Sequence, residues 1–483
     1  MSEMRAAASA FVERTLGRLK NAWRDVAGPT AIGAAPVRPL RPDLPAEDVQ
    51  RVREQMRACL EAAGGEVSAR ARAAELGRSY LSLNEIGRSR FLRLLAEDFD
   101  TDSQAVDAAI GRVQAARDPE ARRKAEQGLR RALDAPRLRL LTQFNALSEG
   151  VKFLVDMRAE LLKLQRAERD SVLASLDADL RGLLASWFDI GFLDLRRITW
   201  SSPAALLEKL AAYEAVHAIQ SWQDMKHRLD SDRRCFAFFH PRMPDEPLIF
   251  VEVALVNGLA GDVGVLLDET LPSADARRVD TAIFYSISNA QAGLAGISFG
   301  NFLIKRVVDQ LRGEFPQLRV FSTLSPIPGF RRWLDGAGEG ALAIFGANDW
   351  AALHALPKRI DDVEGLRVLL ATPDWHSDPR VADALKGPLT RLCAQYLLEV
   401  RNARGGALDR VAHFHLSNGA RVERINWLGD RSPKGFKDSA AMMVNYLYDL
   451  ADIDANHEAY TTHGQIKASP PVLALLRPER VGN

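Results

Sequence analysis

The chain has 483 residues, 47% hydrophobic and 26% charged, which is length enough for about two to four domains and at least one large core. Its 64 Lys plus Arg against 63 Asp plus Glu leave a formal charge of +1, so nothing in the charge balance points to nucleic acid or an anionic membrane as partner. Cys59, Cys235 and Cys393 lie far apart and form no CxxC unit, which argues against a disulfide framework or a cysteine metal site and fits a reducing interior.

The N-terminus carries no signal-peptide core and no apolar run long enough to span a bilayer, so a cytoplasmic location without stable membrane association is expected. Phe11, Leu16, Leu19 and Trp23 recur at near-helical spacing among mixed charges and predict a packed helix. The proline-rich stretch 26–46 predicts an extended connector. Residues 44–187 then repeat a 3.6-residue apolar period. One run holds Ile86, Phe91, Leu94, Leu95 and Phe99, with Ser82 and Glu85 as its expected capping pair. Another holds Leu147, Val151, Leu154, Met157, Leu161 and Leu164. A helical domain over 1–189, including an N-terminal extension, is predicted, with a second domain over 190–483.

Ser202-Pro203 signals a helix start, and the pattern predicts a helix through His217 toward Met225. Strand-like segments follow: RRCFAFFH, PLIFVEVALV, TAIFYSISNA and LRVFSTLS, with helical patterns at 297–312, 344–355 and 383–399, then DRVAHFHLS and ARVERINWL as further strands. Short strands alternating with a few helices predict a mixed α/β or α+β domain.

The segment 281–330 carries the strongest functional signal. TAIFYSISNA empties into QAGLAGISFG and a helical run, a pattern that offers free N–H groups to a phosphate, with Gly293, Gly296 and Gly300 allowing close backbone approach. The competing reading is a turn whose glycines serve packing alone. Ser322 and Ser325 flank the stiff turn FSTLSPIPG, which has no GxSxG elbow. His415, in HFHLSNGA, is the preferred titratable group because an ordinary imidazole pKa of about 6.5 allows proton donation near neutrality. In a strand, His413 would share its face, yet no third ligand or HExxH motif accompanies the pair, and no metal is expected. KGFKD at 434–438 reads as a solvated loop.

Taken together, HPRMPDEPLIFVEVAL from His240, FYSIS from Phe284, QAGLAGISFGNFLIKRVV from Gln291, FSTLSPIPGF from Phe321, HFHLSNGARVERINWLGD from His413, NYLY from Asn445 and FNALSEGVKFLVDMRAELL from Phe144 closely resemble the malonyl-CoA decarboxylase family, over most of residues 75–470. The resemblance implies an α+β multidomain fold, with an N-terminal helical oligomerisation bundle and a C-terminal α/β domain like the GCN5-related acetyltransferases. It also implies conversion of malonyl-CoA to acetyl-CoA and carbon dioxide through a thioester enolate, without metal or other cofactor, by a homotetramer. Ser322 and His415 match the family's catalytic serine and histidine, and Tyr448 a tyrosine near the site. Ala292, Gly293, Leu294, Ala295, Gly296, Ile297 and Ser298 match its acyl-CoA loop, although QAGLAG departs from the strict acetyltransferase pyrophosphate pattern. An amine acyltransferase and a non-enzymatic CoA-binding module are the alternatives.

Overall fold

The computed structural model describes residues 23, 38–61, 65–168, 170–188, 190–297 and 303–477. The expected first helix apart from Trp23, the first part of the connector, Ser298 and the chain's last residues lie outside these. Two compact units are present: Met1–Asp194 with Phe239–Leu248 and Asn289–Phe299, and Leu195–Phe238 with Ile249–Ser288 and Gly300–Asn483.

The first unit is built on helices, among them Gly65–Ser82, Glu85–Asp98, Pro136–Asn145, Gly150–Ala167 and Ser171–Trp187. Its centre is aromatic: Phe153 packs edge-on against Trp23 at 4.8 Å and Tyr80 at 5.5 Å, and against Phe144 at 5.0 Å. Burying each such side chain contributes roughly 1.5–3 kcal/mol, more than any surface pair in the unit. The capping expectation needs correction. Ser82 ends one helix and donates to Ser79 O, and the next helix is capped by Asn84, whose Oδ1 accepts from Gly87 N at 3.0 Å.

The second unit holds most of a sheet whose strands are β1 Asp194–Ile198, β2 Arg233–His240, β3 Met243–Val256, β4 Thr281–Asn289, β5 Val320–Thr323, β6 Ser325–Pro326, β7 Arg421–Asn426 and β8 Met443–Leu447. They run in the order β1-β2-β3-β4-β5-β8-β6, with β7 also on β8. β4 and β5 are parallel, whereas β8 is antiparallel to β5, β6 and β7, so the chain has a helical N-terminal region followed by a mixed α/β sheet domain.

Two sequence readings fail here besides the solvated loop expected at 434–438, a segment that lies on the helix Pro433–Ser439 capped by Ser432. The helix begun at Ala204 stops at Tyr213, and a separate helix covers Trp222–Arg228. Glu214 breaks the pattern by turning its carboxylate onto Val216 N, His217 N and the Ser286 and Ser288 hydroxyls. DRVAHFHLS is not a strand: Arg410–Ser417 is a helix capped by Asp409, burying Ala412, His415 and Leu416. The Asn418–Gly419 pair that follows is its C-terminal cap, with Gly419 at φ +81°.

Candidate active site

Sheet register decides which polar groups meet. Ser322 pairs with Leu447 and Ser325 with Val444. Paired residues share a face and successive residues alternate, so Ser322 belongs with Asn445 and Leu447, while Ser325 belongs with Val444, Tyr446 and Tyr448 on the opposite face. His415 meets that second face. Its Nε2 lies 3.1 Å from Ser325 Oγ and its Nδ1 2.7 Å from Tyr448 Oη, and its ring stacks on Tyr446 at 4.6 Å.

The network favours one arrangement of protons. Ser325 donates to Thr323 Oγ1 at 2.8 Å, and Tyr446 N donates to the same oxygen at 3.1 Å. Ser325 therefore accepts from His415 Nε2–H, which leaves Nδ1 to accept from the Tyr448 hydroxyl. Burial pushes the imidazole down to about 3, so at neutral pH it is uncharged, contrary to the ordinary value assumed from sequence. Ser322, also fully buried, donates to Tyr446 O at 3.1 Å and Thr323 O at 3.3 Å. The structure thus brings together His415, Tyr448 and Ser325, and turns Ser322 to the other face of the sheet.

His413 and His415, which a strand would have placed on one face, separate because residues two apart on a helix diverge by about 200°. His413 Nδ1 meets Tyr460 Oη at 2.7 Å. Thr323, Tyr446 and Asp409 were missed by sequence reasoning. The first two lie two residues before Ser325 and Tyr448, a strand-period signal, and Asp409 holds the position before a short helix.

The glycine-rich turn belongs to the first unit. A 3₁₀ turn covers Ala292–Leu294, and the N–H groups of Leu294, Ala295 and Ile297 are used inside the turn, on Gln291 O, Ala292 O and Leu294 O. The carbonyls of Gly293 and Ala295 accept from buried Arg158 at 2.6 and 2.9 Å, and Arg158 Nε meets Asp177 at 2.7 Å. A Cβ at Gly293 would stand 1.8 Å from Val155 O, so this glycine is required by packing. Gly296 differs: its φ of +74° demands glycine, and its nearest neighbour to a built Cβ is Arg181 at 4.0 Å. The turn therefore serves packing at Gly293 and backbone conformation at Gly296.

The comparisons agree with this architecture. Residues 191–483 match the malonyl-CoA decarboxylase C-terminal domain and residues 99–188 the malonyl-CoA decarboxylase N-terminal domain. Together these define a decarboxylase, an enzyme of the carbon–carbon lyase class. The mitochondrial malonyl-CoA decarboxylase of Anser anser anser is 40% identical over 421 residues, 84% of this chain and 83% of its own. That of Rattus norvegicus is 40% identical over 404 residues, 80% of this chain and 82% of its own. The crystal structure of malonyl-CoA decarboxylase from Rhodopseudomonas palustris superposes with a TM-score of 0.79 at 42% identity, covering 88% of this chain and 98% of that one. The Agrobacterium vitis enzyme gives 0.77 at 41% identity, covering 88% and 100%. The chain belongs to the malonyl-CoA decarboxylase family. Among the described residues, no helix is long and apolar enough to cross a membrane.

Proposed function

We propose that this chain converts malonyl-CoA to acetyl-CoA and carbon dioxide through a thioester enolate, with His415, Ser325 and Tyr448 as the working groups. The observation that carries the reading is the buried hydrogen-bonded line Tyr448–His415–Ser325–Thr323. Cleavage of the bond between the α carbon and its carboxylate releases carbon dioxide and leaves the electron pair delocalised onto the thioester oxygen. Donors that bind this developing charge better than the neutral carbonyl lower the barrier. The α carbon then takes one proton, so one proton is consumed per turnover. In this reading the substrate's carboxylate raises the affinity of His415 for a proton, which passes to the α carbon while Ser325 orients the exchange. Ser322, matched by resemblance to the catalytic serine, is read as an anchor that ties β5 to the backbone of Tyr446. Ala292 to Ser298 contribute to the acyl-CoA site in this proposal, with the backbone around Gly296 the favoured point of approach.

The test is product analysis in heavy water: acetyl-CoA and carbon dioxide in equal amounts, with one solvent-derived deuterium in the new methyl group. Absence of acetyl-CoA from a folded protein across a range of pH overturns the reading. We further propose a homotetramer built through the helical domain over 1–189, with 190–483 catalytic, and a cytoplasmic location. Light scattering across concentration and cell fractionation check these, and an active monomer or a membrane-bound pool would refute them.

A further inference from the structure

We infer that Asp409 is a positioning residue that sets the His415 to Ser325 geometry, an inference that rests on the decarboxylase reading of that pair. Asp409 is buried, and its two carboxylate oxygens serve different elements. Oδ1 accepts from Val411 N at 2.9 Å and Ala412 N at 3.0 Å, capping the Arg410–Ser417 helix that carries His415. Oδ2 accepts from Gly329 N at 3.2 Å, at the exit of the turn that carries Ser325, and from Tyr396 Oη at 3.4 Å.

Both routes from the carboxylate to the reacting groups are stiff. His415 lies six residues along the helix that Asp409 starts. Ser325 is separated from Gly329 by Pro326, Ile327 and Pro328, and the two prolines fix φ at their positions. Gly329 is held against the carboxylate by space: a Cβ there would stand 2.1 Å from Tyr396 Oη and 3.3 Å from Asp409 Oδ2. The four donors that meet Asp409 are neutral, so its acceptor geometry, shared between the turn and the helix, is what joins them. Moving either element alone breaks one half of this connection and opens the 3.1 Å contact between His415 and Ser325.

Asp409→Ser tests this, because serine keeps the helix-capping oxygen and removes the one facing Gly329. The expected result is a kcat lowered about 10- to 100-fold, as for a reacting group displaced by about 1 Å, with KM within about threefold. The His415 ring ¹⁵N signals should also lose the single-tautomer pattern of the wild type. A loss of helix stability alone would leave those signals unchanged in the folded fraction. Unchanged kcat with unchanged His415 signals overturns the inference. If the serine variant fails to fold, the isosteric Asp409→Asn is read by the same two measurements, since an amide has one acceptor oxygen for the two elements. A wild-type protein that does not decarboxylate malonyl-CoA defeats the functional reading, and the ¹⁵N comparison still decides whether Asp409 orders His415.

Discussion

His415 Nε2 meets Ser325 Oγ at 3.1 Å, whereas Ser322, three residues earlier, is directed by strand alternation to the other side of the sheet. The two serines of one turn therefore predict different phenotypes. Ser325→Ala is expected to lower kcat about 10²-fold or more, in the range of lost proton-transfer catalysis, with little change in malonyl-CoA affinity. Ser322→Ala removes hydrogen bonds to Tyr446 O and Thr323 O and is expected to cost about 1 kcal/mol of stability, with kcat changed only a few-fold. Steady-state kinetics and denaturant unfolding of both variants distinguish them. The reverse ranking would assign the chemistry to Ser322.

Tyr448→Phe removes the donor to Nδ1, so the Ser325 contact alone holds the Nε2–H tautomer and the preference for it weakens. A fall in kcat of about tenfold is expected, with mixed tautomers in the His415 ¹⁵N spectrum. An unchanged spectrum would mean that Tyr448 does not set the tautomer.

The buried imidazole also makes stability depend on pH in a definite direction. Burial lowers His415 to about 3 in the folded protein, while the unfolded chain titrates near the ordinary value of about 6.5. Its contribution is complete above about pH 6.5. As pH falls the unfolded state takes up the proton first, and stability drops by up to about 1.4 kcal/mol per pH unit until about pH 3, where the folded imidazole protonates as well. Replacing His415 with Gln should flatten the wild-type curve between pH 6 and 4, measured as the difference in urea unfolding between the two proteins. Parallel curves would show that His415 is not held neutral by burial. His217, lowered to about 4 mainly by burial, acts in the same direction in both proteins.

How much of this was legible in the sequence depended on which period each segment obeys. β2 and β4 are long, apolar and β-branched or aromatic, and their extents follow closely from RRCFAFFH and TAIFYSISNA. The segment with His415 misled because its residues suit a strand, and Asp409 and Gly419 acquire their meaning only as the two ends of a helix. The partner of His415 was out of reach, because choosing between Ser322 and Ser325 requires the pairing register with β8, a contact more than a hundred residues away in sequence. The low affinity of the imidazole for a proton was equally hidden, since it arises from burial. The glycine turn was recognised as special, but Gly293 is demanded by the Val155 carbonyl, a neighbour that the local pattern does not announce.

Gly293 and Gly296 consequently predict separable defects. At Gly293 even alanine places a Cβ 1.8 Å from Val155 O, a backbone atom that cannot rotate aside, so Gly293→Ala should destabilise the first unit by about 3 kcal/mol or more through forced displacement of the turn. The carbonyls of Gly293 and Ala295 would then lose their fit to Arg158, adding the cost of a disturbed buried cation. At Gly296 the space is open, and the cost of Gly296→Ala is the left-handed backbone, about 1–2 kcal/mol. If the turn around Gly296 approaches acyl-CoA, Gly296→Val should raise the malonyl-CoA KM by about tenfold or more in protein that remains folded. Gly293→Ala should instead show itself first in thermal unfolding. A Gly296→Val enzyme with wild-type KM and kcat would remove this turn from the proposed substrate site, and a Gly293→Ala protein as stable as wild type would contradict the packing argument at Val155.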